Sequence, residues 1–156
     1  MSDTFRELKR RLRAIGEDTL GRRFSFRTKK TPGSFCYPRD WSLTVSTHGE
    51  NMDRFVYEFF HEIAHLKCYR EGKYYDYHDV GRHTPMTDRA ARAIIRTGLR
   101  AERHADSLAC ELIHRYGLSI DWSGIVTYHC EEAPDVWRSS QVVADARSWL
   151  GRKSNG

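Results

Sequence analysis

Long apolar runs are missing from this sequence, and no stretch approaches the roughly 20 apolar residues that a membrane-spanning helix needs. Residues 1–21 also lack the apolar core and cleavage region of a secretory signal. They instead repeat Phe5, Leu8, Leu12 and Ile15 on one stripe, which predicts an amphipathic helix. We therefore expect a soluble cytoplasmic protein with no membrane partner.

Cysteine is scarce, with four residues in 156. The four positions are widely scattered and form no CxxC pair, which excludes the common zinc-finger and thioredoxin-type motifs. Most of them lie among apolar neighbours, and cytoplasmic cysteines are usually reduced. We therefore expect reduced thiols at Cys36, Cys68, Cys110 and Cys130.

Internal repeats and low-complexity linkers are absent as well, so residues 1–156 are predicted to form one domain. A hydrophobic fraction of 39% suffices for a single core. Periodicity predicts mainly helices with two short strands, and we expect an α+β fold with a small antiparallel sheet. The predicted elements are helices at 3–16, 52–70 and 87–116, with Gly98 a candidate break in the third, strands near 23–28 and 41–47, a short helix near Asp121, and a final helix from Asp135 to about Gly151.

Two histidines and a glutamate stand together in HEIAH, residues 61–65. Residues four apart share one helix face, about 6 Å apart along the axis, so His61 and His65 can bind one metal ion. Glu62 beside them is placed to take a proton from a zinc-bound water, whose pKa the metal lowers to about 7. This HExxH pattern is typical of zinc hydrolases, and it predicts Zn²⁺ as the cofactor and Glu62 as the catalytic base.

The residues around HEIAH indicate whether this pattern arose by chance or has a function. A five-residue pattern with three fixed positions also arises by chance in helices. Here the run FVYEFFHEIAHLKC is apolar, so the two histidines and Glu62 are expected near the core. Buried polar groups are costly unless they have partners, and a metal ion supplies one. Asn51 or Asp53 can cap the start of this helix.

A third protein ligand is expected on the helix at 87–116, because a catalytic zinc usually has three. Glu102 and Asp106 lie on or beside its apolar face, and not with its arginines. They could pair with buried arginines or cap a neighbouring helix. Alternatively, Glu102 binds the metal, and Asp106 accepts the N–H of a ligating histidine and fixes its tautomer. The predicted apolar face consists of Ile95, Leu99, Ala105, Leu108, Ala109 and Leu112.

HExxH followed by ERHAD at residues 102–106 resembles the gluzincin metallopeptidases, and among them the small ImmA/IrrE-type zinc peptidases of bacteria, phages and mobile elements. The resemblance extends over about residues 41–117 and implies a zincin-like domain. It assigns His61, His65 and Glu102 to zinc, Glu62 to general base catalysis, and Asp106 to support of a ligand. Asp106 replaces an asparagine that is common in the group, and the segment between the two helices is long. These departures bear on substrate preference more than on metal binding.

That segment, residues 68–88, contains the alternative third ligands His78 and His83. A later histidine as ligand would resemble the SprT-like metallopeptidases, some of which act on DNA-associated proteins. We favour Glu102, because a packed helix presents its ligand already oriented, whereas a loop histidine must be ordered on binding. His104 lies beside Glu102 but faces another way, and we expect no ligation from it.

Strand 41–47 directly precedes the HExxH helix and alternates in polarity. In zinc peptidases that this chain resembles, such a strand lines the cleft and pairs with an extended substrate. An edge strand can do this through main-chain hydrogen bonds. The alternative is an ordinary strand inside a sheet.

The net charge of +5 arises from basic clusters within residues 9–13, 22–23, 29–30 and 89–103. Solvated helix faces explain most of them, although a basic surface also suits an acidic protein or a nucleic-acid-bound target. No nucleic-acid-reading motif is present, so a non-enzymatic nucleic-acid-binding protein is the more distant alternative.

Together these features predict a zinc-dependent endopeptidase that cleaves a protein or peptide partner, such as a repressor or another transcriptional regulator. Its reaction needs a donor to the oxyanion of the scissile carbonyl. The candidates by residue type alone are Tyr75, Tyr77, Tyr128 and His129.

Overall fold

A computed structural model describes residues 3–74, 86–125 and 141–154 of the chain. These residues have an α+β architecture, as predicted. The helices are α1 (Asp3–Leu20), α2 (Met52–Arg70), α3 (Asp88–Arg115) and α4 (Gln141–Ser154), with a 3₁₀ helix at Trp122–Gly124, and the strands are β1 (Ser25–Lys29), β2 (Phe35–Tyr37) and β3 (Ser42–Ser46). None of the described helices has the length and apolar character needed to cross a membrane.

The three strands form a mixed sheet in the order β1-β3-β2. β3 runs parallel to β1 and antiparallel to β2, so the prediction of an antiparallel sheet was wrong for one of the two pairings. Of the two alternatives for β3, the structure has the ordinary strand inside a sheet, because β3 has a hydrogen-bonded neighbour on each side. β2 was missed, since three residues are too few to show an alternating pattern.

α1 continues to Leu20, beyond the predicted end at residue 16, so that Gly16 lies inside the helix. A Cβ at this position would lie 2.7 Å from Cζ of Phe24 and 3.0 Å from Cδ1 of Ile63. The absence of a side chain at Gly16 thus allows α1 to pack closely against Phe24, the residue before β1, and against Ile63 of α2. The helix ends before Gly21, which has a φ of 63°.

α2 is the central helix of the domain, with the bounds that the sequence predicts. The side chain of Asn51 caps it by accepting the backbone N–H of Arg54 at 2.8 Å, which selects Asn51 over Asp53 as the N-cap. Every residue from Phe55 to Leu66 is buried. Because α2 is buried on all sides, its polar side chains are buried as well. The core around it is formed by Leu12, Leu20, Phe26, Leu43, Val45, Leu112 and Ile113.

α3 packs along α2 and runs without a break through the buried Gly98. The predicted apolar face of its first half was displaced by about one residue, because Ile94 is fully buried while Ile95 is partly exposed. The displacement brings the face towards α4, where Val143 and Ala146 pack against it. α4 extends to Ser154, and its predicted cap, Asp135, lies outside the described residues.

Candidate metal centre

Three potential metal ligands from α2 and α3 converge on one point. Nε2 of His61 lies 3.1 Å from Nε2 of His65 and 3.0 Å from Oε2 of Glu102, and Nε2 of His65 lies 3.3 Å from the same Oε2. The residues are 2%, 5% and 7% exposed in the order His61, His65, Glu102. The sequence places the histidines on one face of α2, and the packing of α3 brings Glu102 against them.

The donor set fits zinc. Two imidazole nitrogens and one carboxylate oxygen are the ligands of many catalytic zinc sites. Tetrahedral ligands at zinc's usual bond lengths lie about 3.3 Å from one another. The observed separations of 3.0 to 3.3 Å are close to that value. The three side chains could therefore hold one zinc ion with little rearrangement.

Asp106 lies behind His61, on the side away from Glu102. The carboxylate is fully buried, and its Oδ1 lies 2.8 Å from Nδ1 of His61. A carboxylate only accepts hydrogen bonds, so Nδ1 carries the proton. The opposite nitrogen, Nε2, is then the one directed at the cluster, which is the arrangement that an outer carboxylate gives a metal-binding histidine.

Tyr57 also belongs to this network, although sequence reasoning missed it. The side chain is fully buried, and its hydroxyl donates a hydrogen bond to Oδ1 of Asp106. The available signal was the spacing on α2, where Tyr57, His61 and His65 are successive residues four apart. Because the run is largely apolar, its one tyrosine does not stand out in the sequence.

Glu62 is buried next to the cluster without being one of the three converging ligands. Burial raises its pKa; the nearby His61 and His65 oppose this, and the carboxylates of Glu58 and Glu102 reinforce it, so the net pKa is higher than usual. A buried carboxylate with a raised pKa is a better proton acceptor than a solvated one.

Cys36 on β2 is the second residue that sequence reasoning missed. The thiol lies close to the side chain of Glu62, and desolvation, followed by the negative charge of Glu62, raises the pKa of the thiol. No local pattern points to this contact, because β2 and α2 are brought together only by the folded chain. Cys68, the cysteine closest to HEIAH in sequence, is buried with a pKa of about 11 and is not part of the ligand cluster.

The contact between His61 and Glu102 favours the charged form of each side chain when no metal is present. Burial by itself would lower the pKa of His61, but hydrogen bonds to Asp106 and Glu102 raise it well above 6.5. Burial would raise the pKa of Glu102, but the two histidines hold it well below 4.5. Both shifts favour a positively charged group next to the Glu102 carboxylate.

The remaining predicted positions divide into two groups. His104 packs on Tyr74, with ring centroids 5.8 Å apart, and is not in the ligand cluster. The alternative ligands and the candidate oxyanion donors lie outside the described residues: His78, His83, Tyr75, Tyr77, Tyr128 and His129.

The prediction of four reduced thiols was wrong at Cys110, which is disulfide-bonded, whereas Cys36 and Cys68 are free. The spacing of the cysteines could not reveal the bond. Disulfide formation depends on the distance between two residues in the folded chain, which widely separated positions do not indicate.

Comparison with protein-family models, curated proteins and solved structures finds no significant match to this chain.

Proposed function

We propose that this protein is a zinc-dependent endopeptidase of the gluzincin type, similar to the ImmA/IrrE peptidases. The observation that carries the proposal is the convergence of His61, His65 and Glu102, with the buried carboxylate of Glu62 beside them. A structural ion-pair cluster would account for Glu102 and the histidines. It would leave no role for Glu62, a further buried carboxylate whose pKa is raised.

His61, His65 and Glu102 would hold the zinc, which when bound supplies a Lewis acid that activates water and polarises the scissile carbonyl. Glu62 accepts the proton of the attacking water and later delivers it to the leaving amine. Asp106 keeps the His61 ring oriented through Nδ1. The thiol of Cys36 lies close enough to Glu62 to help orient its carboxylate.

The third ligand distinguishes this proposal from the SprT-like alternative. Glu102 already lies 3.0 and 3.3 Å from the two histidines, so the described residues include three side chains that could together ligate one metal ion. This supports Glu102 as the ligand ahead of His78 or His83.

The proposed substrate is a protein or peptide, with a repressor or other transcriptional regulator as the expected class. The assignment rests on the resemblance of HEIAH and ERHAD to the peptidase motifs. The net charge of +5 suits a substrate with acidic segments.

Metal analysis of purified variants tests the site. We expect about one zinc per chain in the wild type and in Glu62→Gln, and loss of zinc in His61→Ala, His65→Ala and Glu102→Ala. His104→Ala is the matched control, because it removes a half-buried histidine of α3 outside the cluster. Full zinc in Glu102→Ala, with loss in His78→Ala or His83→Ala, would transfer the third-ligand role.

Cleavage of a random peptide library, followed by mass spectrometry, tests the activity. The zinc-loaded wild type should cleave a subset of peptides, and Glu62→Gln should retain zinc but lose cleavage by orders of magnitude. No cleavage by the zinc-loaded wild type, or equal cleavage by Glu62→Gln, would contradict the endopeptidase assignment.

A further inference from the structure

We infer that Tyr57 is a positioning residue of the metal centre, acting through Asp106 on His61. The inference rests on the proposed zinc site and adds a residue to it. Its basis is a continuous chain of contacts: the Tyr57 hydroxyl donates to Oδ1 of Asp106, the same Oδ1 accepts from Nδ1 of His61, and Nε2 of His61 faces the cluster.

Both hydrogen bonds end on one oxygen of a carboxylate that is fully buried. Two donors arriving from different directions restrict rotation of the Asp106 carboxylate about its side-chain bond, whereas one donor restricts it less. The orientation of Oδ1 in turn determines the plane and tautomer of the His61 ring. The Tyr57 hydroxyl should therefore influence how accurately Nε2 points at a bound metal.

The ring and the hydroxyl of Tyr57 have separable functions. The ring contacts Trp122 and His61, with centroids 6.0 Å away in each case, and it fills space in the core. The hydroxyl is the part that reaches Asp106. Tyr57→Phe removes the hydroxyl and retains the ring, so it tests positioning with the least change in packing.

Tyr116 supplies a matched control within the same protein. Its hydroxyl also donates to an aspartate, Asp18, and its ring stacks on Phe60 of α2. It has no contact with the ligand cluster among its described hydrogen bonds and ring contacts. Tyr116→Phe therefore removes a tyrosine–aspartate hydrogen bond, this one exposed and accompanied by a contact with Thr19, without touching the network of Asp106.

The experiment measures zinc affinity of the full chain by competition with a chromogenic chelator. We expect Tyr57→Phe to weaken zinc binding about 10-fold, the lower end of the range for losing an outer partner, and Tyr116→Phe to leave it unchanged. In an Asp106→Ala background, Tyr57→Phe should have no further effect, because the carboxylate that transmits the effect is gone.

The visible absorption spectrum of the protein loaded with Co²⁺ provides a second readout. At saturating metal, Tyr57→Phe should shift the ligand-field bands through the displaced His61, and Tyr116→Phe should not. Because saturating metal favours the folded state, this measurement remains informative if the metal-free variant is unstable.

The outcomes separate the inference from the proposal beneath it. A wild type that binds no zinc or cobalt would overturn the metal centre and the role of Tyr57 together. A wild type that binds zinc, with Tyr57→Phe matching Tyr116→Phe in affinity and spectrum, would overturn the role of Tyr57 alone. An equal loss caused by Tyr57→Phe with and without Asp106 would show that the hydroxyl does not act through Asp106.

Discussion

Asp106 and His61 are 45 positions apart in the chain, yet Oδ1 of the one accepts Nδ1–H of the other at 2.8 Å. The contact joins α3 to α2 on the side of the histidine away from Glu102. It therefore couples the packing of two helices to the orientation of one ring in the ligand cluster.

The Asp106 contact predicts a graded effect on zinc binding. Asp106→Ala should weaken zinc affinity about 10- to 100-fold, because His61 loses the acceptor that fixes its ring. Asp106→Asn should lose less, since an amide oxygen can still accept the Nδ1 proton. Chelator competition measures both. The control is Glu111→Ala, which removes an exposed acid from the same helix. Affinity in Asp106→Ala equal to that of the control would show that Asp106 has no supporting role.

The opposite charges on His61 and Glu102 predict how stability of the metal-free protein varies with pH. The raised pKa of His61 contributes stability that is complete below 6.5 and is lost as pH rises through the raised value. The lowered pKa of Glu102 contributes stability that is present above 4.5 and is lost as pH falls through the lowered value. Both contributions to stability are therefore complete between pH 4.5 and pH 6.5.

Glu102→Gln should accordingly destabilise the metal-free protein most within that window, and the difference from wild type should shrink as pH rises above it. Urea unfolding in the presence of a chelator, repeated across pH, measures this. Glu111→Gln removes an exposed carboxylate paired with Arg115 and should show no such narrowing. A constant difference for Glu102→Gln up to alkaline pH would contradict the ion pair.

The contact of Cys36 with Glu62 predicts a variant that changes activity without changing metal content. Cys36→Ala should lower cleavage several-fold, because the Glu62 carboxylate loses a neighbouring thiol that can donate to it, while zinc affinity stays at the wild-type value. Cys36→Ser retains a donor and should fall between the two. Parallel zinc and peptide-cleavage assays decide the matter. A loss of zinc in Cys36→Ala would instead make Cys36 a ligand.

Gly16 predicts a sharp steric effect on stability. Gly16→Ala would place a Cβ 2.7 Å from Phe24 and 3.0 Å from Ile63, and overpacking of this kind costs about 1 to 3 kcal/mol. Gly151→Ala on α4 is the matched control, because its Cβ would meet nothing within 4 Å. The control should be neutral or stabilised by up to about 1 kcal/mol. Denaturant unfolding compares them, and equal stabilities would refute the close approach.

Local patterns in the sequence determined much of the candidate site. The four-residue spacing of His61 and His65 places them on one helix face through the geometry of the α-helix alone. Asn51 indicated the start of α2, because a capping side chain acts on residues next to it. Glu102 and Asp106 stood out as acids on an apolar face, which is also a local property of α3.

Only the tertiary structure decided what those faces meet. The distance between Glu102 and the two histidines depends on how α3 packs along α2, across at least 37 positions of chain. The hydroxyl of Tyr57 and the thiol of Cys36 acquire roles through groups on other elements, and the strand order puts β3 between β1 and β2. Periodicity reports which side of an element is apolar, because neighbouring residues set that side. Which other element packs against that apolar side depends on the packing of the whole core, and no short segment of the sequence encodes it.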